Sequence, residues 1–246
     1  MMHSRKTGLT VGAISAILIV LGIVMYMSDS LRFVKTVFLI ARVAPYEQAG
    51  DGAGKIQFFG DSTGYGTGAT AGKYSIAGRL GADFPAYAIK NSSVNGRTVT
   101  ELLEDTEEYA DQSDLVVLQI GANDILQKRD LDVVFSDLEI LIQRLAPLTQ
   151  EIVLLTSGNV GGAQAFSGTE SAELEALTRT YRERVTALAA RTPNFTYVDL
   201  FDEPEDDPFV AQPERYTSMD GLHPSNEGYE LWYKKAQPAF AAALQK

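Results

Sequence analysis

Two side chains stand in surroundings suited to bond-breaking chemistry. Ser62 sits in Gly60-Asp61-Ser62-Thr63-Gly64 and His223 in Asp220-Gly221-Leu222-His223-Pro224. A serine on a sharp strand-to-helix turn is exposed and close to backbone N–H groups. Asp220 stands three residues before His223, near enough in a helical turn to hold the imidazole through one ring nitrogen. Hydroxyl, imidazole and carboxylate are the parts of a nucleophilic relay. The imidazole takes the hydroxyl proton as oxygen attacks an acyl carbon, while the carboxylate fixes the tautomer and stabilises the cation. Each part alone has a plainer reading: a Gly-Asp-Ser turn capping a helix, and a histidine on the surface or satisfied in the core.

Composition excludes several other chemistries. The 246 residues contain no cysteine, so disulfides, thiolate metal sites and a cysteine nucleophile are absent. The only histidines are His3 and His223, too few for a multi-histidine metal centre, and neither a metal nor a cofactor is expected. A formal net charge of −11 argues against a broad basic surface for nucleic acid. Gly66-Thr67-Gly68-Ala69-Thr70-Ala71 fits G-x-G-x-x-A, but it begins several residues past the preceding apolar run. No acidic residue follows the next run to bind a ribose. Gly72-Lys73 resembles a P-loop ending, yet the upstream glycine is misplaced and Tyr74 replaces Ser/Thr.

Positioning these groups requires a scaffold, and the chain supplies an alternating pattern. Short, almost continuously apolar runs at 56–59, 87–90, 115–120, 152–156 and 196–200 read as parallel strands buried on both faces. Between them, helical spacing appears at about 72–83, 98–110, 131–145, 171–191 and 226–244. Such alternation implies a three-layer α/β domain, in which ligands bind beyond the carboxyl ends of the strands. Gly60–Gly64, Asn91–Gly96, Gly121–Asp124 and Ser157–Asn159 all fall at that rim. A general α/β-hydrolase fold fits less well, because there the nucleophile follows several strands rather than the first.

Taken together, these blocks resemble the SGNH (GDSL-type) hydrolases across roughly 56–244. Gly-Asp-Ser at 60–62, a glycine at Gly96, Gly-x-Asn-Asp at 121–124 and Asp-x-x-His-Pro at 220–224 occur in the family's order. The resemblance implies a flavodoxin-like sheet and cofactor-free ester hydrolysis. It assigns Ser62, His223 and Asp220 to a catalytic triad. It assigns the backbone N–H groups of Ser62 and Gly96, with the Asn123 amide, to an oxyanion hole. Thr63 departs from the Leu of the name motif, and Arg97 beside Gly96 could alter the pocket mouth. Asp61 and Asp124 read as turn and capping residues.

The amino-terminal part differs in character. Residues 1–44 carry +4 and the remainder −15. Residues 9–27 form 19 uncharged positions, about 28 Å as a helix and close to the roughly 30 Å hydrocarbon core. An uncleaved single-pass anchor is expected, with a cleavable signal peptide as competitor. Residues 31–44 place Arg32, Lys35 and Arg42 roughly on one helical face, suiting either a helix in the headgroup layer or a helical linker packed on the domain. Expected boundaries are 1–30 for tail and anchor, 31–54 for the juxtamembrane segment and linker, and 55–246 for the hydrolase domain. The domain is expected outside the cytoplasm.

The expected substrate is a carboxylic ester or thioester: a lipid acyl ester resembling a lysophospholipid, or an O-acetyl group on a glycan. Phe166, Phe209, Tyr216 and Met219 are candidate walls for an acyl chain. An acyltransferase with the same triad, or a silent binding protein of the same fold, are the alternatives. A silent protein would be expected to lack the Ser, the His or the oxyanion Asn.

Overall fold

The computed structural model describes residues 30–109 and 111–245. Helix α1 (30–42) and an extended link lead into strand β1 (Gly54–Gly60). Four further strands follow: β2 (Tyr87–Asn91), β3 (Ser113–Gln119), β4 (Thr149–Leu155) and β5 (Phe195–Val198). All neighbouring strands pair in parallel, in the order β2-β1-β3-β4-β5. The chain thus leaves β1 for one neighbour, β2, and then crosses to the other, β3. Between these two diverging connections lies a crevice at the carboxyl end of β1, the usual ligand position in such sheets.

Side chains of each strand alternate between two cores. Leu115 and Val117 face one side of the sheet with Ile56, Phe58, Val153 and Leu155, while Val116 and Leu118 face the other with Ile152 and Leu154. Helices α3 (Ile76–Asp83) and α10 (Asn226–Leu244) cover the first side through Ile76, Leu80, Tyr229, Trp232 and Phe240. Helices α4 (Val99–Tyr109), α6 (Leu131–Leu145) and α7 (Gly168–Ala189) cover the second. Both faces are therefore removed from water, which is why the strands read as continuous apolar runs. Four short helices, α2 (Ser62–Tyr65), α5 (Ala122–Leu126), α8 (Pro208–Ala211) and α9 (Pro213–Tyr216), sit among the loops.

Two expected elements differ in detail. The helix foreseen over 72–83 is a 3-10 turn at Gly72–Tyr74 followed by α3, because Ser75 interrupts it and caps α3 by accepting from Gly78 N. Strand β4 starts three residues early, at Thr149, since its backbone pairs with β3 from Ser113 onward whatever the side-chain polarity. The uncharged stretch 9–27 lies outside the described residues. Among the described residues, no helix is long and apolar enough to cross a membrane.

Candidate active site

Ser62 is the first residue of α2, immediately after β1. The preceding Asp61 caps that helix, its Oδ1 accepting from Thr63 N at 2.8 Å and Thr63 Oγ1 at 2.7 Å. Asp61 is fully buried, and burial pushes its carboxyl upward despite these bonds. It builds the turn rather than facing the pocket. Thr63, where the name motif has Leu, thus adds a second bond to that capping carboxylate.

His223 reaches Ser62 from a loop between α9 and α10. An antiparallel bridge, Thr217 to Pro224, closes this loop, and Ser218 N donates to His223 O at 2.7 Å. Inside it, Asp220 Oδ1 accepts from the backbone N–H of Leu222 and of His223, each at 3.1 Å. Its Oδ2 lies 2.7 Å from His223 Nδ1, and His223 Nε2 lies 2.9 Å from Ser62 Oγ. Burial alone would raise the Asp220 carboxyl. The bond from His223, its charge and the two backbone donors outweigh that and hold it well below the usual carboxylate range. An ionised carboxylate only accepts, so Nδ1 carries a proton, and in the neutral ring the Nε2 lone pair faces the Ser62 hydroxyl.

The glycine-rich run 66–71 serves this arrangement rather than a nucleotide. Gly68 has φ +100°, and a Cβ there would lie 2.3 Å from Pro224 O and 2.9 Å from His223 Cβ. Only glycine lets the two loops close together. Tyr229 Oη donates to Thr67 O at 2.8 Å, and Asn226 Oδ1 accepts from Thr70 N, clamping the run to the start of α10.

Gly96 and Asn123 border the same cavity as Ser62 and His223. Gly96 adopts φ +82° with nothing within 4 Å of a hypothetical Cβ, so its backbone lies open to an incoming molecule. Asn123, in the first turn of α5, donates through Nδ2 to Arg97 O at 3.1 Å, which ties its amide to the Gly96 loop. Arg97 itself is buried, bonded to Ser92 O and paired with Asp105 at 2.8 Å, and does not border the cavity. Its expected influence on the pocket mouth is not seen. Asp124 is buried, accepts from Val99 N at the start of α4, and is pushed up to about 6 chiefly by burial.

The cavity measures about 350 Å³, within the range of small-molecule sites. Ile40, Leu126, Val160, Leu200, Phe209 and Trp232 give it a mainly apolar lining. Of the aromatic walls expected from sequence, only Phe209 borders it. Phe166 instead packs against the core and beneath Arg32, while Met219 is exposed. Trp232 and Leu200 were missed because their motifs read as ordinary core.

Helix α1 matches the helix expected over 31–44, in the alternative that packs on the domain, but its part in the site is not foreseen from the sequence. It packs over the site: Thr36 donates to Asp220 Oδ2 at 3.0 Å, Ile40 borders the cavity, and Leu39 and Val43 are buried. Arg32 donates to Ala165 O, which turns it away from the Lys35 and Arg42 side expected for it. The spacing of Arg32, Thr36, Leu39, Ile40 and Val43 was the available signal for an inward face.

A hydroxyl facing an imidazole lone pair, with an ionised carboxylate behind it and Gly96 and Asn123 on the same cavity, can perform nucleophilic acyl transfer. Solved structures share the architecture. A lipolytic protein of the G-D-S-L family from Veillonella parvula DSM 2008 superposes with a TM-score of 0.61 at 22% identity, covering 76% of this chain and 98% of that one. An acetylxylan esterase from Geobacillus stearothermophilus gives 0.54 at 22% identity over 80% and 96%. A lipase from a goat rumen metagenome gives 0.55 at 18% over 75% and 96%. No curated protein sequence matches. The model of the GDSL-like Lipase/Acylhydrolase family matches residues 58–231, well over half of the chain and all four signature blocks. This chain therefore belongs to the GDSL-like lipase/acylhydrolase family and is an ester-hydrolysing serine hydrolase.

Proposed function

We propose that Ser62, His223 and Asp220 act as a catalytic triad on an acyl ester and that the chain is held at a membrane. The observation carrying the first part is the 2.9 Å approach of His223 Nε2 to Ser62 Oγ, with Asp220 on the opposite ring nitrogen. Ser62 Oγ attacks the acyl carbon as its proton passes to Nε2, and the carbonyl electron pair moves onto oxygen. The backbone N–H groups of Ser62 and Gly96 and the amide of Asn123 stabilise that oxyanion. Collapse expels the alcohol, which takes the proton from His223 and leaves an acyl-enzyme. Water then repeats the sequence, giving its proton to His223 and releasing the acid.

The apolar lining favours an acyl chain of several carbons over acetyl, so the preferred substrate is a lipid acyl ester. Residues 1–30 form the tail and anchor, 31–54 the juxtamembrane segment and 55–246 the hydrolase domain outside the cytoplasm. Support for the anchor is the 19-residue uncharged run and its basic flank, Arg5 and Lys6. Turnover of p-nitrophenyl esters from acetate to palmitate by the full chain tests the substrate reading. A maximum at medium or long chains is expected, whereas a maximum at acetate would turn the assignment to O-acetyl groups. Protease treatment of intact cells should remove the domain, and full protection would reverse the topology.

A further inference from the structure

Helix α1 has two unlike faces. Its inner face holds Arg32, Thr36, Leu39, Ile40 and Val43 against the catalytic domain. Its outer face presents Phe33, Val34, Val37 and Phe38 to solvent, Phe33 at 69% and Val34 at 60% exposure. At 100° per residue these four fall within one side of the helix. Lys35 and Arg42 lie along one edge between the faces, and no acidic residue occurs in the helix. An apolar stripe with cations along one edge, on a chain otherwise strongly acidic, has the makeup of an interfacial membrane helix.

We infer that the outer face of α1 seats in the headgroup region of an anionic phospholipid bilayer. This rests on the anchored reading of residues 9–27, and chain geometry then leaves little freedom. From residue 27 to residue 30 there are three steps, at most about 10 Å of extended chain. The start of α1 therefore lies within that distance of the bilayer surface. Burying Phe33, Val34, Val37 and Phe38 removes apolar area from water, and Lys35 and Arg42 reach lipid phosphates from the helix edge. Because Thr36 and Ile40 belong to the opposite face of the same helix, this seat brings the cavity beside the membrane.

The absence of cysteine makes the test direct. Full-length chains carrying a single Val34→Cys, Phe38→Cys, Ser15→Cys or Gln150→Cys are labelled with bimane and reconstituted into phosphatidylcholine–phosphatidylglycerol vesicles containing nitroxide lipids, labelled near the headgroup to read 34, 38 and 150 and deep in the acyl chain to read 15. Gln150, at the amino end of β4 and away from the rim, reports on background. Hydrolysis of p-nitrophenyl butyrate by each labelled chain verifies folding. Quenching at 34 and 38 but not at 150 is expected. Quenching at 15 without quenching at 34 and 38 would overturn the docking face while leaving the anchor in place. Quenching at 34 and 38 without quenching at 15 would support the docking face and remove the anchor. Absence of quenching at all four positions would overturn both.

Discussion

Thr36 donates its hydroxyl to Oδ2 of Asp220 at 3.0 Å, the same oxygen that lies 2.7 Å from His223 Nδ1. A helix outside the family-matched region thus contacts the carboxylate that orients the base. Replacing Thr36 with Val keeps the shape and removes the donor. A kcat loss of about 5-fold is expected, the rate equivalent of about 1 kcal/mol, with KM unchanged. Thr36→Ser should restore the rate. Wild-type kcat in the Val variant would show that the bond does not help to set the carboxylate.

Asn123 holds its amide at the cavity by donating to Arg97 O. If that amide serves the oxyanion, Asn123→Ala lowers kcat by about 100- to 1,000-fold with little change in KM. Labelling by a fluorophosphonate should slow in parallel, since it passes through a similar charged geometry. A loss confined to KM would place Asn123 in substrate binding instead.

Ala163 borders the cavity together with Phe209 and Trp232. Enlarging it to Leu fills space that an acyl chain would occupy. The variant should lose about 10-fold or more on palmitate and caprylate esters, because overpacking costs about 1–3 kcal/mol, while acetate turnover stays near wild type. Equal loss across all chain lengths would contradict an acyl channel at this wall.

Asp124 gives a stability prediction with a definite sign. Its carboxyl titrates at about 6 in the fold, above its ordinary 3.8. Between these values the native state holds a proton that the unfolded chain has released. Stability from this group is therefore complete below about pH 4 and lost as pH rises through 6. Asp124→Asn should gain on wild type by about 2–3 kcal/mol between pH 4 and pH 7, whatever its offset at low pH. Urea unfolding at the two pH values measures the difference, and a constant difference would contradict burial as the cause.

The sequence was most readable where function constrains short blocks. Gly60-Asp61-Ser62, Gly96, Asn123 and Asp220 to His223 each fall at the carboxyl rim because a parallel sheet leaves its loops there. The strands were readable from their double-sided burial. What stayed hidden was long-range apposition. The strand order was not legible, since all parallel strands buried on both faces look alike. Trp232 is indistinguishable in sequence from its core neighbours Tyr229 and Tyr233 on α10, although it also borders the cavity. Thr36 stands 184 residues from Asp220, and nothing local marks it as a partner. Arg97 differs because a charged residue in a rim motif suggests exposure, whereas its guanidinium is buried, donating to Ser92 O and pairing with the more exposed Asp105.

The central claim is that Ser62 is the nucleophile activated by His223. Its most direct test is covalent labelling of the full chain with a fluorophosphonate, read by mass spectrometry of the modified peptide and by ester turnover. One label per chain on Ser62, absent in Ser62→Ala, is predicted, with turnover in that variant falling on the order of a million-fold, the loss known for removing a triad serine. Labelling at another residue, or Ser62→Ala turnover equal to wild type, would contradict it.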